Sequence, residues 1–230
     1  SICVCWGSDT NAYINFNFLM DNQLKTIAVY NQYVASYEQK FMTFDLYNDT
    51  FDALLEITPT NCKLLELGCG PGNVIRYLLK KRNDLTITGI DLAPEMIKRA
   101  QEINPSATFH LMDIRDTKQL ANQYEVVIGA FCLPYLSYED LPIFFQNLNS
   151  LTLKNGFIYL SCMEGDCDKS GFEKTSFTGD SEMYIYYHQR STLENLLSKN
   201  GFQIEHFYTK DYPETDGTVT TDLIYIAKKV

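Results

Sequence analysis

A glycine-rich turn between a short apolar segment and a helix-like segment constrains this chain more than any other feature. Residues 64–73 read LLELGCGPGN, with glycine at Gly68, Gly70 and Gly72. Glycine permits positive φ angles and lets a ligand approach the backbone closely. A helix that follows such a turn offers free N–H groups at its start. The segment therefore predicts a β-strand, a tight turn and a helix that together border a ligand site.

An acidic residue at the end of the next predicted strand narrows the choice of ligand. Asp91 closes the apolar segment 85–91, where a carboxylate accepts hydrogen bonds from ribose hydroxyls. The order of strand, glycine turn, helix, strand and acid predicts an adenosine-containing ligand. The dinucleotide fingerprint G-x-G-x-x-G is not met, because Asn73 occupies the place of its third glycine. The sequence also lacks the G-x-x-x-x-G-K-[ST] pattern of a phosphate-binding loop.

Strand-like and helix-like segments alternate through most of the chain. Strands are predicted at 63–67, 85–91, 107–112, 124–130 and 156–162. Helices are predicted at 73–81, 94–104 and 137–151. Capping-box sequences that predict helix starts occur at Ser137–Asp140 and Ser191–Glu194. The last two strands, 202–209 and 222–228, have no helix between them and predict a hairpin. The alternation is typical of an α/β fold with a mostly parallel sheet, helices on both faces and an antiparallel C-terminal hairpin.

Two regions stand outside this alternation. Residues 1–20 have no clear periodicity and are predicted to be a peripheral extension. From Asp21, a predicted N-cap, apolar residues recur at helical spacing as far as Phe41. The stretch Glu164–Asp180 is rich in Gly, Asp, Lys and Ser and predicts a mobile lid. We expect a single domain at residues 21–230, with a helical cap at 21–57 and a lid insertion at about 164–188.

Composition excludes several classes of function. The 230 residues include 19 Lys and Arg against 29 Asp and Glu, a formal net charge of −10. This acidity argues against a nucleic-acid surface, which needs clustered positive side chains. We expect no membrane span, which needs about 20 consecutive apolar residues, and no signal peptide, because residues 1–20 lack a basic start. The seven cysteines predict reduced thiols in the cytoplasm, and no His or Cys cluster has the spacing of a metal site.

The glycine turn and the acidic strand end together carry a resemblance to a known family. LLELGCGPGN at 64–73, followed by GIDLAPEMIKRA at 89–100, resembles the first two motifs of the class I S-adenosylmethionine-dependent methyltransferases. The resemblance extends from about Tyr30 to the C-terminus. It implies a Rossmann-like fold with a seven-stranded, mostly parallel sheet, and S-adenosyl-L-methionine as the cofactor.

The same resemblance implies roles for individual residues. The methionine part of the cofactor would lie against Glu66, Gly68, Cys69 and Gly70. The ribose and adenine would lie against Asp91, Leu92, Asp113 and Ile114. Glu66 would support the ammonium group, Asp91 would hold the ribose hydroxyls, and Asp113 would accept from the adenine amine. The N-terminal helix would close over the cofactor through Tyr33 or Tyr37. The alternative is one packed aromatic face made of Tyr30, Tyr33, Tyr37 and Phe41.

Two residues are candidates on the acceptor side. Methyl transfer from a sulfonium is an in-line displacement, in which the protein mainly positions donor and acceptor and excludes water. A general base is needed only where the acceptor must lose a proton. His188, in an aromatic segment before the last predicted helix, is the candidate base, or else a histidine satisfied near a helix start. Tyr135, beyond the fourth strand, is predicted to be a pocket wall.

We therefore predict methyl transfer from S-adenosylmethionine to a small-molecule acceptor in a desolvated pocket, with no nucleic acid, membrane or metal as a partner. Two alternatives stay open. One is a module that binds the cofactor without turnover. The other is an NAD-dependent oxidoreductase, against which Asn73 and the C-terminal hairpin count.

Overall fold

The computed structural model describes residues 22–120, 122–175, 177, 179–214 and 217–230. The predicted extension at 1–20 and the predicted N-cap Asp21 lie outside these residues. The helices are α1 (22–32), α2 (Val34–Phe41), α3 (Asn48–Ile57), α4 (Asn73–Lys81), α5 (Pro94–Ile103), α6 (Leu141–Leu151) and α7 (Arg190–Lys199). The strands are β1 (Lys63–Leu67), β2 (Thr86–Asp91), β3 (Thr108–Leu111), β4 (Tyr124–Ala130), β5 (Thr152–Met163), β6 (Gly171–Lys174), β7 (Glu182–Ile185), β8 (Phe202–Pro213) and β9 (Val219–Lys229).

Seven of these strands form one sheet in the order β3-β2-β1-β4-β5-β9-β8. Strands β1 to β5 run parallel to one another, whereas β9 runs antiparallel to both β5 and β8. The predicted mostly parallel sheet and its C-terminal hairpin are thereby confirmed. The strand order reverses between β1 and β4, and sheets of this type bind ligands at the carboxyl ends of the strands next to such a switch point.

Two hydrophobic clusters cover opposite faces of the sheet. Successive residues of a strand point to opposite faces, so Leu65 packs with residues of α6 and α7 while Leu64 packs with residues of α3, α4 and α5. Phe144 of α6 and Ile75 of α4 have no exposed surface, and full burial of a side chain of this kind contributes about 1.5–3 kcal/mol. The predicted helices on both faces are confirmed, and the covered faces leave the strand ends as the place for a ligand.

The helical cap differs from its prediction at Tyr33. The sequence predicts one helix from Asp21 to Phe41, but the structure has two, α1 and α2, which are separated at Tyr33. This residue has φ −110° and ψ 25°, outside the helical region. Its backbone still bonds to residues four positions away on either side, so the two helices follow one another closely. Aromatic and β-branched residues are weak helix formers, and the regular apolar spacing hides the break.

The capping box predicted to open a helix at Ser137 forms its reciprocal hydrogen bonds, but in a turn that precedes α6, which begins at Leu141 without a side-chain cap bond. The Asp140 N–H donates to Ser137 Oγ at 3.3 Å, and the Ser137 N–H donates to the Asp140 carboxylate at 3.1 Å, just before α6. The prediction of a second capping box at Ser191–Glu194 is wrong, because α7 begins at Arg190 and has no side-chain cap bond. Glu194 accepts instead from Arg190 Nε at 2.7 Å, as residues one helical turn apart do.

The predicted lid contains a small antiparallel sheet. Strands β6 and β7 pair with each other and are separate from the main sheet. The Tyr186 N–H, just after β7, donates to the Pro134 carbonyl at 2.8 Å, which attaches this segment to the loop after β4. The β6–β7 hairpin therefore lies beside the carboxyl ends of the central strands, and its movement as a lid stays a prediction.

Membrane spans, metal clusters and disulfides are all without support in the part of the chain that the structure describes. No helix there has the length and apolar character to cross a bilayer. No group of three His, Cys, Asp or Glu side chains is placed to hold a metal ion in those same ranges. Cys62, Cys69, Cys132 and Cys162 are buried free thiols.

Candidate active site

A cavity of about 740 Å³ lies at the carboxyl ends of the central strands. Its walls come from the glycine turn, the loops after β2, β3 and β4, the helical cap, the β6–β7 hairpin and β9. Tyr33 and His188 do not line it. The other ten predicted site residues do, namely Glu66, Gly68, Cys69, Gly70, Asp91, Leu92, Asp113, Ile114, Tyr37 and Tyr135. The structure thus brings the predicted cofactor residues other than Tyr33 together at the switch point of the sheet.

The glycine turn needs glycine for two different reasons. Gly70 has φ 51° and faces the cavity, where an added Cβ would lie 3.9 Å from the Tyr37 ring. Gly72 has φ 78°, and a Cβ there would lie only 2.4 Å from Nδ2 of Asn104, which donates to the Gly72 carbonyl at 3.0 Å. Both φ values are disfavoured for residues that carry a Cβ. The turn therefore stays open toward the cavity and is fixed from behind by the residue that follows α5.

Asp91 joins the glycine turn to the loop after β2. Its Oδ2 accepts from the Gly70 N–H and its Oδ1 from the Ala93 N–H, both at 2.8 Å. Burial raises the pKa of this carboxyl, and the two N–H groups oppose the rise. Each carboxylate oxygen has a further lone pair. Asp91 can therefore order the turn and still accept hydrogen bonds from hydroxyl groups of a ligand.

Glu66 is a buried carboxylate with an unused oxygen. It lies in β1, is 1% exposed, and its Oε2 has no hydrogen-bond partner among the described residues. Burial, together with the nearby charge of Asp91, raises its pKa well above the ordinary value. A buried ionised carboxylate is costly unless a cation pairs with it. The residue therefore fits the ammonium group that the family resemblance places here.

Asp113, which the sequence predicts for the adenine, has partners that the sequence reasoning missed. Asp113 lines the cavity, but its carboxylate accepts from Arg115 Nη2 at 2.6 Å and from Gln23 Nε2 at 3.1 Å. Burial raises the pKa of Asp113 and the Arg115 guanidinium lowers it, with a net lowering. A basic residue two positions after an acidic one is the sequence signal for this pair. The carboxylate is therefore held in place before any adenine binds.

Aromatic side chains of the cap border the cavity opposite the glycine turn. The hydroxyl groups of Tyr30 and Tyr135 are hydrogen-bonded, and their rings lie edge to face at 5.6 Å. Tyr37 packs on Tyr30 at 5.9 Å. Burial raises the pKa of Tyr135 to about 12, so its hydroxyl stays protonated at neutral pH. Tyr30 lines the cavity, although sequence reasoning placed it only in the aromatic stripe. The faces of such rings attract cations, which suits a sulfonium.

Tyr33, the other aromatic residue predicted for the cofactor site, points elsewhere. Its hydroxyl lies 3.0 Å from Oγ of Ser181, next to β7. Tyr30, Tyr37 and Phe41 share one helical face by their spacing and all line the cavity. Tyr33 lies at the break between α1 and α2 and contacts the β6–β7 hairpin instead.

His188 is placed as a structural residue rather than as a group facing the acceptor. It is fully buried, and its Nε2 donates to the Leu133 carbonyl at 2.9 Å. The ring packs on Tyr138 at 5.2 Å, and burial lowers its pKa. Nδ1 has no partner among the described residues. His188 therefore holds the loop that carries Tyr135, in agreement with the alternative that sequence reasoning left open for it.

Asp222 is a buried lining residue that sequence reasoning did not select. It lies in β9, is 1% exposed, and accepts from the Tyr47 hydroxyl at 2.6 Å through Oδ2. Its Oδ1 has no partner among the described residues. Burial raises the pKa of this carboxyl to about 7. An acidic residue at the start of the apolar run DLIYIA is the signal that would have pointed to it.

Comparison with known proteins supports the family that the motifs suggest. Residues 64–156 match the family model described as a methyltransferase domain. A protein named as methyltransferase 235L, from Invertebrate iridescent virus 6, is 33% identical over 137 residues, which cover 60% of this chain and 49% of that protein. The chain thus spans about half the length of this curated relative.

Solved structures share the fold at low sequence identity. An S-adenosylmethionine-dependent methyltransferase from Methanosarcina mazei superimposes with a TM-score of 0.66 at 17% identity, over 77% of this chain and 97% of that one. The magnesium protoporphyrin IX methyltransferase from Synechocystis PCC 6803, solved with bound S-adenosylhomocysteine, gives a TM-score of 0.60 at 20% identity, over 85% of this chain and 84% of that one.

The family match covers the residues that form the core of the site. It includes the glycine turn, Asp91 and Asp113, all of which border the cavity. The sheet order places these residues at the switch point between β1 and β4. Motif, sheet order and family match therefore agree on a methyltransferase domain, which the family model matches at residues 64–156.

Proposed function

We propose that this domain transfers a methyl group from S-adenosyl-L-methionine to a small-molecule acceptor. The observation that carries the proposal is the buried carboxylate of Glu66, whose Oε2 has no partner beside the glycine turn and Asp91. A cation is needed there to offset the burial of the charge, and the amino group of the cofactor supplies one.

Each wall of the cavity has a task in this proposal. Glu66 pairs with the ammonium group, and the backbone of Gly70 borders the methionine part. Asp91 accepts from the ribose hydroxyls, while Leu92 and Ile114 flank the adenine. All five residues line the cavity. The cofactor supplies an electrophilic methyl group on a positively charged sulfur.

The chain contributes positioning and exclusion of water rather than covalent chemistry. Tyr30, Tyr37 and Tyr135 border the cavity with aromatic surface, and donor and acceptor held in line in a dry pocket gain most of their rate from proximity. His188 contributes only indirectly, because its hydrogen bond to the Leu133 carbonyl holds the loop that carries Tyr135. We do not assign it the role of a general base, since it lines no part of the cavity.

A small acceptor suits the site better than a nucleic acid or a membrane. The cavity volume of about 740 Å³ is in the usual range for small-molecule sites, about 300–1,000 Å³. The net charge of −10 opposes the approach of a phosphate backbone. A cytoplasmic location stays a prediction, which the buried free thiols of Cys62, Cys69, Cys132 and Cys162 support.

Calorimetric titration with S-adenosylhomocysteine tests the cofactor site, with NAD⁺ titrated in parallel. We expect the first ligand to bind and Glu66→Gln to weaken it about tenfold or more, because a charge-assisted hydrogen bond is lost. Glu56→Gln is the matched control, since Glu56 is exposed on α3. Binding of NAD⁺ alone would favour the oxidoreductase. Transfer of a labelled methyl group to any small molecule would exclude a module without turnover.

A further inference from the structure

An acid-rich part of the cavity, formed by Glu173, Glu214 and Asp222, points to the kind of acceptor. We propose that the acceptor is a primary or secondary amine, held as its ammonium ion by these carboxylates and deprotonated by Asp222 before it attacks the methyl group. The inference rests on the proposed methyl transfer and concerns the acceptor half of the same cavity.

Asp222 is the carboxylate that a bound cation would satisfy. It is 1% exposed and lines the cavity, and its Oδ1 has no partner among the described residues. The Tyr47 hydroxyl occupies only Oδ2. None of the ion pairs formed within the described ranges includes Asp222. Because a buried ionised carboxylate needs a paired charge, a cationic ligand would supply the missing partner.

The other two carboxylates belong to segments that meet Asp222 at the cavity. Glu214 follows β8, and its charge acts on Asp222 and on Glu173 of β6. The Tyr187 hydroxyl donates to Glu173 at 3.2 Å. The two basic residues among the described lining are already paired, Arg115 with Asp113 and Lys174 with Asp180. Among the ion pairs of the described residues, none includes Glu173, Glu214 or Asp222, so a bound cation would be attracted to this part of the cavity.

Aromatic rings line the space next to these carboxylates. The Tyr47 ring lies 5.8 Å from Phe44 and 5.0 Å from Phe131, and Phe44 lies 5.8 Å from Tyr212. Phe131 directly follows β4, so these aromatic rings adjoin the part of the cavity that we assign to the cofactor. Aromatic faces attract cations, and rings combined with carboxylates suit an alkylammonium ion. A carboxylic acid acceptor would instead meet charges of its own sign.

The transfer step balances in protons and electrons. The Asp222 carboxylate takes one proton from the ammonium ion, which leaves a neutral amine with a free electron pair. That pair forms the new N–C bond while the C–S bond of the sulfonium breaks, and the electrons of the broken bond stay on sulfur in S-adenosylhomocysteine. The product is a methylated ammonium ion, and Asp222 returns its proton to the solvent. A carboxyl whose pKa burial raises to about 7 suits this task near neutral pH.

The test is calorimetric titration of the whole protein saturated with S-adenosylhomocysteine. The probes are phenethylamine and tryptamine, each compared with the carboxylate that replaces the amine, 3-phenylpropionate and indole-3-propionate. Asp222→Asn keeps the side-chain shape without the charge. Glu205→Gln is the matched control, because Glu205 is exposed on β8 of the same hairpin. Methyl transfer to the same probes is followed with labelled S-adenosylmethionine.

We expect the amines to bind and to accept the label, and the carboxylates to do neither. Asp222→Asn should weaken amine binding about tenfold or more and leave S-adenosylhomocysteine binding unchanged, and Glu205→Gln should change neither. Preferential binding of the carboxylates, amine binding that Asp222→Asn leaves intact, or no binding of either class to the saturated protein would each overturn the proposal while the cofactor site stands.

Failure of S-adenosylhomocysteine to bind would overturn the proposed function and the amine proposal together. If Asp222→Asn does not fold, Glu214→Gln takes its place, because Glu214 is only partly buried. We then expect a smaller loss of amine affinity in the same titration. An unchanged amine affinity would contradict the proposal.

Discussion

The hydroxyl group of Tyr47 donates a hydrogen bond of 2.6 Å to Oδ2 of Asp222. Tyr47 is the residue before α3, and Asp222 lies in β9, so this bond joins the helical cap to the C-terminal hairpin at the cavity wall. It fixes one oxygen of the buried Asp222 carboxylate. The cap thereby borders both the part of the cavity proposed for the acceptor and the part proposed for the cofactor.

Replacement of Asp222 by Asn is expected to stabilise the protein above pH 7. Burial raises the pKa of Asp222 from 3.8 to about 7, with Tyr47, Glu214 and Asp211 facing it. Between these values the folded state binds a proton that the unfolded state does not bind, so the free energy of unfolding falls as the pH rises. At pH 8 the free energy of unfolding of the variant should exceed that of the wild type by at least about 1 kcal/mol, since one pKa unit corresponds to about 1.4 kcal/mol.

Urea unfolding at pH 5 and pH 8 checks this expectation. At pH 5 the Asp222 carboxyl is protonated in the folded state, so the two proteins should differ little. A variant that is no more stable than the wild type at pH 8 would show that the burial of Asp222 is not costly.

Asp91→Ala should weaken S-adenosylhomocysteine binding about tenfold or more, because it removes the acceptor for the ribose hydroxyls and for the Gly70 N–H. Asp45→Ala is the control, since Asp45 is exposed in the loop before α3. Calorimetry measures both variants. Equal affinities for the two would contradict the assignment of Asp91 to the ribose.

Gly72→Ala should destabilise the fold more than Gly179→Ala. Both glycines have positive φ, 78° and 59°, so both variants carry the cost of the left-handed backbone, about 1–2 kcal/mol. Only at Gly72 does the new Cβ meet Asn104 Nδ2 at 2.4 Å, whereas nothing lies within 4 Å of a Cβ at Gly179. We expect Gly72→Ala to lower the free energy of unfolding by at least about 1 kcal/mol more than Gly179→Ala, because Asn104 must move and lose its hydrogen bond.

Urea unfolding of the two glycine variants gives this difference directly. If Gly72→Ala were no worse than Gly179→Ala, Asn104 would not be what fixes the turn.

His188→Leu should lower the free energy of unfolding by about 1–3 kcal/mol, because the buried Leu133 carbonyl loses its donor. Burial lowers the pKa of His188 from 6.5. Below pH 6.5 the unfolded state therefore takes up a proton that the folded state does not, and wild-type stability falls with the pH. The variant should lack this part of the fall, and its affinity for S-adenosylhomocysteine should stay within about twofold of the wild type, a factor that corresponds to only about 0.4 kcal/mol.

Thermal unfolding across pH 5 to 8 tests the role of His188. Unchanged stability with a large loss of methyl transfer would contradict a structural role and favour the general base.

The sequence predicts the sheet well, and it predicts residues of the proposed cofactor site that line one cavity, because both depend on local patterns. Buried strands leave continuous apolar runs, and the glycine turn is fixed by φ angles that glycine alone tolerates easily. Asp91 was found because it ends a strand next to that turn. The break at Tyr33 was missed, because the regular apolar spacing continues across it from α1 into α2.

The part of the cavity proposed for the acceptor depends on contacts between residues far apart in the chain. The spacing of residues along the sequence does not reveal such contacts. Tyr47 and Asp222 are brought together only by the sheet order that places β9 next to β5. Asp113 was found from its motif, but its partner Gln23 lies in α1. His188 was selected because it lies in an aromatic segment before the last predicted helix, and only its burial against the loop after β4 shows that it does not line the cavity.

The central claim is that Glu66 and Asp91 hold the amino group and the ribose of S-adenosylmethionine. A crystal structure of the protein with S-adenosylhomocysteine tests it most directly. The account predicts the ligand's amino nitrogen at about 3 Å from Oε2 of Glu66 and its ribose hydroxyls at similar distances from Asp91. A ligand bound with its amino group away from Glu66, or bound outside the cavity, would contradict it.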